Sequence, residues 1–227
     1  MREDHPKMGL EVLYNKINPQ EMGRDKFIMT FQNLGYRVRR TRKFTKTTDS
    51  SGVKRFPNRL NNIELTGINQ CYVSDITYYD INNRFYFITF IMDLFNREVV
   101  GFSVSNSLRT VNTTLPALEM VVRKRGKQNL KNAIFHSDGG GQYYADEFLE
   151  RSKTQLKMIN SMGKTCYENP HAERLNGVLK NDYIIPYGPR SFKQLIRLTA
   201  KAVKMYNTEK PHKALNGKTP IQCRSAA

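Results

Sequence analysis

Apolar residues recur at helical spacing twice near the start of the chain, at Leu10, Val12, Leu13 and Ile17 and again at Phe27, Ile28, Phe31 and Leu34. That period predicts two short helices, over about 8–17 and 24–33. Asn18-Pro19 breaks the first and Gly35 closes the second. The period then changes. Residues 72–79, 84–94 and 99–104 are rich in aromatic and β-branched side chains and are separated by polar turn residues, Asn82-Asn83 and Asn96-Arg97, which predicts three strands joined by tight turns. The run from Phe85 to Met92 is apolar on both faces, so its strand belongs in the interior of a sheet. Leu115, Leu118, Val121 and Val122 form the buried stripe of a helix over 111–124. A fourth strand follows at 133–136, then a helix at 146–153, a fifth strand at 157–161, and two helices, one starting at Pro170 and one over 192–206. This order predicts an α/β protein: a five-stranded mixed sheet flanked by helices and preceded by a small helical hairpin. Residues 45–62 turn to Thr, Ser, Gly, Pro and Asn around the sequence TTDSSG, the composition of a linker. The chain therefore divides into a basic helical segment at 1–44, a linker at 45–62, and a core with a helical tail at 63–227.

Composition narrows the classes. Of 227 residues, 39% are hydrophobic, too many for a disordered polycation. The longest apolar run is about ten residues, broken by Thr89 and Asp93 and short of the roughly 20 that a bilayer span requires, so no membrane partner is expected. The N-terminus carries Arg2, Glu3, Asp4 and His5 where a secretory signal would be apolar. Three scattered cysteines, Cys71, Cys166 and Cys223, form neither a disulfide framework nor a metal knuckle, which points to a reducing cytoplasm.

Charge adds a partner. There are 37 Lys and Arg against 20 Asp and Glu, a net +17, but the excess is uneven. Residues 1–60 hold 14 basic and 6 acidic side chains, residues 61–150 hold 8 and 10, and residues 151–227 hold 15 and 4. Two basic flanks suit a polyanion such as double-stranded DNA, because each neutralised phosphate releases a condensed counterion. Arg37, Arg39, Arg40, Arg42 and Lys43 form a basic tail to the helical hairpin that fits phosphates. The acidic middle needs another reason, and metal-binding carboxylates are one.

Three acids stand out. Asp75 lies inside the first strand, where an unpartnered charge is costly. Asp138 ends the fourth strand in HSDGGG, where the glycines allow close approach. Glu173 lies in the first turn of the helix opened by Asn169 as N-cap and Pro170 as first residue. Singly they read as an edge charge, a turn former and an acid facing the helix dipole. Together they can converge on a pair of divalent cations.

The blocks NQCYVSDITYY (69–79), FYFITFIMDLFNREVVGFSVS (85–105), IFHSDGGGQYY (134–144), ENPHAERLNGVLKNDY (168–183) and YNTEKPHKALNGKTP (206–220) stand in register over nearly the whole chain. In this arrangement the protein resembles the retroviral-integrase-like DDE recombinases, and most closely the B-frame transposases of bacterial insertion sequences. The hairpin at 5–40 is similar to the helix-turn-helix region that precedes their catalytic core. The resemblance implies a ribonuclease-H-like core, and it implies Asp75, Asp138 and Glu173 as a catalytic triad holding two Mg²⁺ per site, with Mn²⁺ as the alternative ion. It also implies cleavage at element ends followed by strand transfer. Tyr72 stands where the family has Trp, and Glu168-Asn169-Pro170-His171 replaces its usual Asp-Asn-Ala.

Gly177 and Lys180 fall at i+4 and i+7 from Glu173 and are expected on its helix face, with Lys180 toward a terminal DNA phosphate. Arg174, Asn176 and Gln142 are further DNA candidates. His136 and His212 are expected in structural roles. Joining two ends implies at least a homodimer on DNA, with an upstream-frame DNA-binding protein, or a fusion to it, as a further partner in the bacterial cytoplasm at the nucleoid. The alternatives are a catalytically inactive or host-retained DNA-binding protein of the same fold, and a cellular nuclease that hydrolyses without joining.

Overall fold

The computed structural model describes residues 3–38, 56–61, 63–163 and 168–224. Its centre is a five-stranded sheet built from β1 (Cys71–Ile81), β2 (Arg84–Asp93), β3 (Val99–Ser105), β4 (Ile134–Ser137) and β5 (Ile159–Met162), in the order β3-β2-β1-β4-β5. β1, β2 and β3 form an antiparallel meander, while β4 and β5 add parallel to β1. The β1–β2 turn is made by Asn82 and Asn83, with φ of 54° and 62°, the left-handed pair that a two-residue hairpin demands and that Asn tolerates.

Alternation along β1 and β2 supplies two cores. Cys71, Val73, Ile88, Phe90 and Met92 face one side and pack on Leu175, Leu179, Leu195 and Tyr206. Those residues come from α5 (Pro170–Val178), the π-helical turn that continues it (Leu179–Ile184) and α6 (Phe192–Thr208). Tyr72, Ile91, Val100 and Phe135 face the other side, against Ala117, Leu118, Val121 and Phe148 of α3 (Thr114–Arg125) and α4 (Asp146–Leu149). The expected order of elements is observed. The helix expected over 146–153 turns from α to π at Glu150, and a short helix near the C-terminus, α7 (Pro220–Arg224), has too little periodicity to be seen in the sequence.

β3 lies so close to α3 that only glycine fits at the contact. A Cβ at Gly101 would overlap the Ala117 carbonyl oxygen and stand 2.8 Å from Val121 Cγ2. Gly101→Ala is therefore expected to cost about 1–3 kcal/mol through overpacking, read as a lower urea midpoint at unchanged m-value.

Below the sheet, Glu98 is fully buried between three cations: Lys124 at 2.8 Å, Arg125 at 2.7 Å and Arg224 at 3.2 Å. Arg125 also reaches Asp93 at 3.7 Å. This cluster ties the β2–β3 turn to the end of α3 and to α7.

α1 (Leu10–Ile17) and α2 (Arg24–Asn33) form a hairpin with a core of its own, Met8, Leu10, Leu13 and Phe27. Its leading arm is bolted to the C-terminal helices. His5, 1% exposed, bonds the Tyr183 hydroxyl at 3.0 Å and Glu209 Oε2 at 3.1 Å. Lys16 donates to the Glu209 carbonyl at 2.8 Å.

Candidate active site

β1 and β4 run parallel with Ser74 opposite Ser137. Asp75 and Asp138 are each the next residue, so the two carboxylates leave neighbouring strands at the same level. α5 is tied against this edge at two points. Asn169 Nδ2 donates to the Ser74 carbonyl at 2.9 Å, and Asn176 Nδ2 donates to Asp75 Oδ2 at 2.8 Å. Asn169 precedes the helix as expected, but its side chain makes no capping bond; it serves to tie the helix to β1. Glu173 lies between these two anchors, exposed to solvent.

Buried bonds behind the carboxylates hold them in place. The Ser74 hydroxyl donates to the Phe90 carbonyl at 2.9 Å and lies 2.8 Å from the Tyr143 hydroxyl. The Tyr144 hydroxyl donates to the Asp138 carbonyl at 2.7 Å, and the Gly140 amide donates to Asp138 Oδ1 at 3.1 Å. A Cβ at Gly140 would stand 3.0 Å from that same oxygen, so the glycine leaves room for the carboxylate.

Electrostatics shows the three acids acting on each other. Burial, then repulsion from Asp138 and Glu173, pushes the Asp75 carboxyl up to about 7, against the lowering effect of the Ile76 amide and Asn176. Burial raises Asp138, and burial followed by Asp138 raises Glu173. Like charges held together in a poorly solvated place resist joint ionisation. An all-oxygen acidic set suits a hard divalent cation. Among the described residues no three His, Cys, Asp or Glu side chains are gathered closely enough to hold a metal ion; Asp75 and Asp138 accept from backbone amides and Asp75 from Asn176. Two buried amide oxygens nearby, Asn169 Oδ1 and Asn176 Oδ1, have no hydrogen-bond partner among the described residues.

The other candidates are dispersed. Asn176, expected at DNA, is 7% exposed and aims inward at Asp75. Lys180 is half-buried, seven residues on from Glu173, where the helix turns from α to π at Leu179. Its ammonium lies 4.4 Å from the centre of the Tyr78 ring, and burial lowers its pKa. Gln142 is half-buried, and its carbonyl accepts the hydroxyls of Thr110 and Thr114 at 3.3 and 3.1 Å. Arg174 and Arg37 are exposed. Arg39, Arg40, Arg42 and Lys43 lie outside the described residues.

His136 is structural, as expected. Its Nε2 donates to the Glu168 carbonyl at 3.1 Å, which leaves Nδ1 to accept from Ser161 Oγ at 2.8 Å. Burial lowers it to about 4, so it stays a neutral strut between β4, β5 and the start of α5. The partner relation between Asn176 and Asp75 escaped sequence reasoning, although their strand and helix were both anticipated. No spacing rule links residues 101 apart in the chain.

Residues 66–161 match the family described as integrase core domain, and residues 154–220 match a second family of the same description. The chain belongs to the integrase core family. Its relatives within that family come from bacterial insertion sequences. It is 28% identical over 207 residues to the 31 kDa protein of insertion element IS600 from Shigella sonnei, covering 89% of this chain and 75% of that one. It is 30% identical over 162 residues to the transposase InsF of insertion sequence IS3A from Escherichia coli K12, covering 68% and 54%. The integrase core chain thus spans three quarters of the first relative and about half of the second.

In three dimensions the integrase core superposes on the HTLV-2 integrase catalytic core domain solved with magnesium, in its trimeric form. The TM-score is 0.55 at 21% identity, covering 70% of this chain and 98% of that one. The BIV integrase catalytic core gives 0.51 at 16% identity, covering 70% and 95%. The fold is the ribonuclease-H-like one that the sequence resemblance implied.

Proposed function

We propose that this chain is a DNA transposase, a DDE-type polynucleotidyl transferase that cleaves at the ends of an insertion sequence and joins the freed strand to new DNA. One observation carries the proposal: Asp75 and Asp138 emerge side by side from parallel strands, and the helix that carries Glu173 is tied to the Asp75 strand by Asn169 and Asn176. Asp75, Asp138 and Glu173 would hold the divalent cations, their carboxylate oxygens being the ligands a hard ion favours. Two Mg²⁺ ions, or Mn²⁺ in their place, would supply activation of the attacking oxygen and stabilisation of the leaving 3′-oxygen. In the first step water adds to phosphorus and a 3′-hydroxyl leaves. In the second that hydroxyl attacks another phosphodiester and a new 3′-oxygen leaves; this exchange makes one phosphodiester for each one it breaks, so no ATP is needed. Lys180 and the basic flanks, Arg37 to Lys43 and the C-terminal helices, carry the DNA. Joining two ends calls for at least a dimer on DNA, in a bacterial cytoplasm, with the upstream-frame protein or fusion as an additional partner.

Asn176 orients Asp75, so Asn176→Ala is expected to weaken Mg²⁺ binding about 10–100-fold, the usual effect of losing a group that orients a metal ligand, read by calorimetric titration. The proposal itself is tested with Mg²⁺ and a labelled duplex carrying the element's terminus. Joined products that disappear with Asp138→Asn and Glu173→Gln support it. DNA binding without metal-dependent nicking would mean an inactive DNA-binding protein, and nicking without joining would mean a nuclease.

A further inference from the structure

Arg97 is the one residue of the β2–β3 turn with a left-handed backbone, φ 61°. Its guanidinium is half-buried and makes no ion pair with a carboxylate among the described residues. Its hydrogen bond goes from Nη1 to His171 Nδ1 at 3.0 Å. An arginine can only donate, so His171 Nδ1 accepts and its ring proton sits on Nε2, facing away from Arg97 as a further donor. Arg174, one helical turn on from His171, adds a second cation whose repulsion both Arg97 and His171 feel. Same-sign charge gathered at a partly desolvated place is unfavourable unless an anion completes it. Beside Arg97 and His171 opens a cleft of about 380 Å³ walled by Leu60, Ile63, Leu94 and Phe95. Its lining thus combines aliphatic and aromatic side chains with the Arg97 and His171 donors.

We propose that Arg97, His171 and Arg174 form a second anion site, which takes a backbone phosphate of DNA while the apolar cleft receives the adjoining sugar and base. It lies on the flank of α5 opposite Glu173, since residues 171 and 174 share one helical face and 173 points away from it. The phosphate held here is therefore one remote from the reacting carboxylates, and its role is to fix the path of the strand. The inference rests on the DNA reading proposed above.

The test measures full-length chain binding to a labelled generic duplex in EDTA, by fluorescence anisotropy across a KCl series. Arg97→Gln and Arg174→Gln should each weaken binding roughly threefold to tenfold and flatten the slope of log K against log salt by about 0.9, the signature of one lost phosphate contact. Arg97→Lys should recover most of the slope, because the slope counts charge. Arg174 is exposed, so its variant keeps the test valid if Arg97→Gln melts early. Slopes equal to wild type in both glutamine variants would overturn the site, and a change of oligomeric state accompanying them would assign it to a protein carboxylate. The two readings fail separately. Normal slopes with intact strand transfer would remove this site alone, whereas slope loss in a chain without strand transfer would keep it and remove the transposase.

Discussion

Asp138→Asn is expected to lower Mg²⁺-dependent strand transfer by about 10²–10³-fold, the scale on which loss of one charge-stabilising group at a reacting centre acts. The amide oxygen of the new side chain can still accept the Gly140 N–H, and the Tyr144 hydroxyl bonds the backbone carbonyl of residue 138 rather than its carboxylate. The loop therefore keeps its shape, and the loss reports on charge. Duplex binding in EDTA should be retained or strengthen, since a negative charge facing phosphates is gone. Glu173→Gln should behave alike, from a different element. Activity within tenfold of wild type in either variant would take that carboxylate out of the reaction.

The second large effect is on stability. Asp75 titrates near 7 in the folded chain, far above the roughly 3.9 of an unfolded aspartate. Between those values the folded form binds a proton that the unfolded chain has released, so stability falls as pH rises from about 4 to about 7 and the whole penalty stands above that. Its size is on the order of 4 kcal/mol, or roughly 8–16 °C in melting temperature for a chain of this length. Bound Mg²⁺ favours the ionised carboxylates. Melting curves in EDTA and in millimolar Mg²⁺ should therefore diverge at about pH 8 and nearly coincide at about pH 5. Asp75→Asn should melt higher than wild type without metal at the alkaline end and should lose the response to Mg²⁺. A metal-free melting temperature that rises from pH 5 to pH 8 would contradict the repulsion among the three acids.

Much of this was legible in advance, for identifiable reasons. The strands announced themselves because β2 is buried on both faces from Ile88 to Asp93 and β1 at its start, which fills those positions with mostly apolar residues. Asp75 was visible because it interrupts that pattern, and Asp138 because it opens a run of three glycines. The contact of Lys180 with the Tyr78 ring was not legible, because no spacing rule links a helix residue to a strand residue 102 positions away. The widening to π at Leu179 answers to packing against α6 and the sheet, and local periodicity carries no record of it. The buried Glu98 cluster was missed because its charges look like any surface set until folding brings Lys124, Arg125 and Arg224 around them. The hairpin's attachment through His5 joins residues 178 and 204 positions apart, which no local signal encodes.

By itself the sequence determined the order of elements, the mixed sheet and the three acids, because these follow from hydrophobic period, turn chemistry and the misfit of charge in an apolar strand. Only the tertiary structure decided that Asp75 and Asp138 leave paired strands at one level, that Asn176 serves Asp75, and that Arg97 and His171 stand together beside an apolar cleft. Each of these depends on register and helix docking, which are settled by packing among residues far apart in the chain, where the energies are collective.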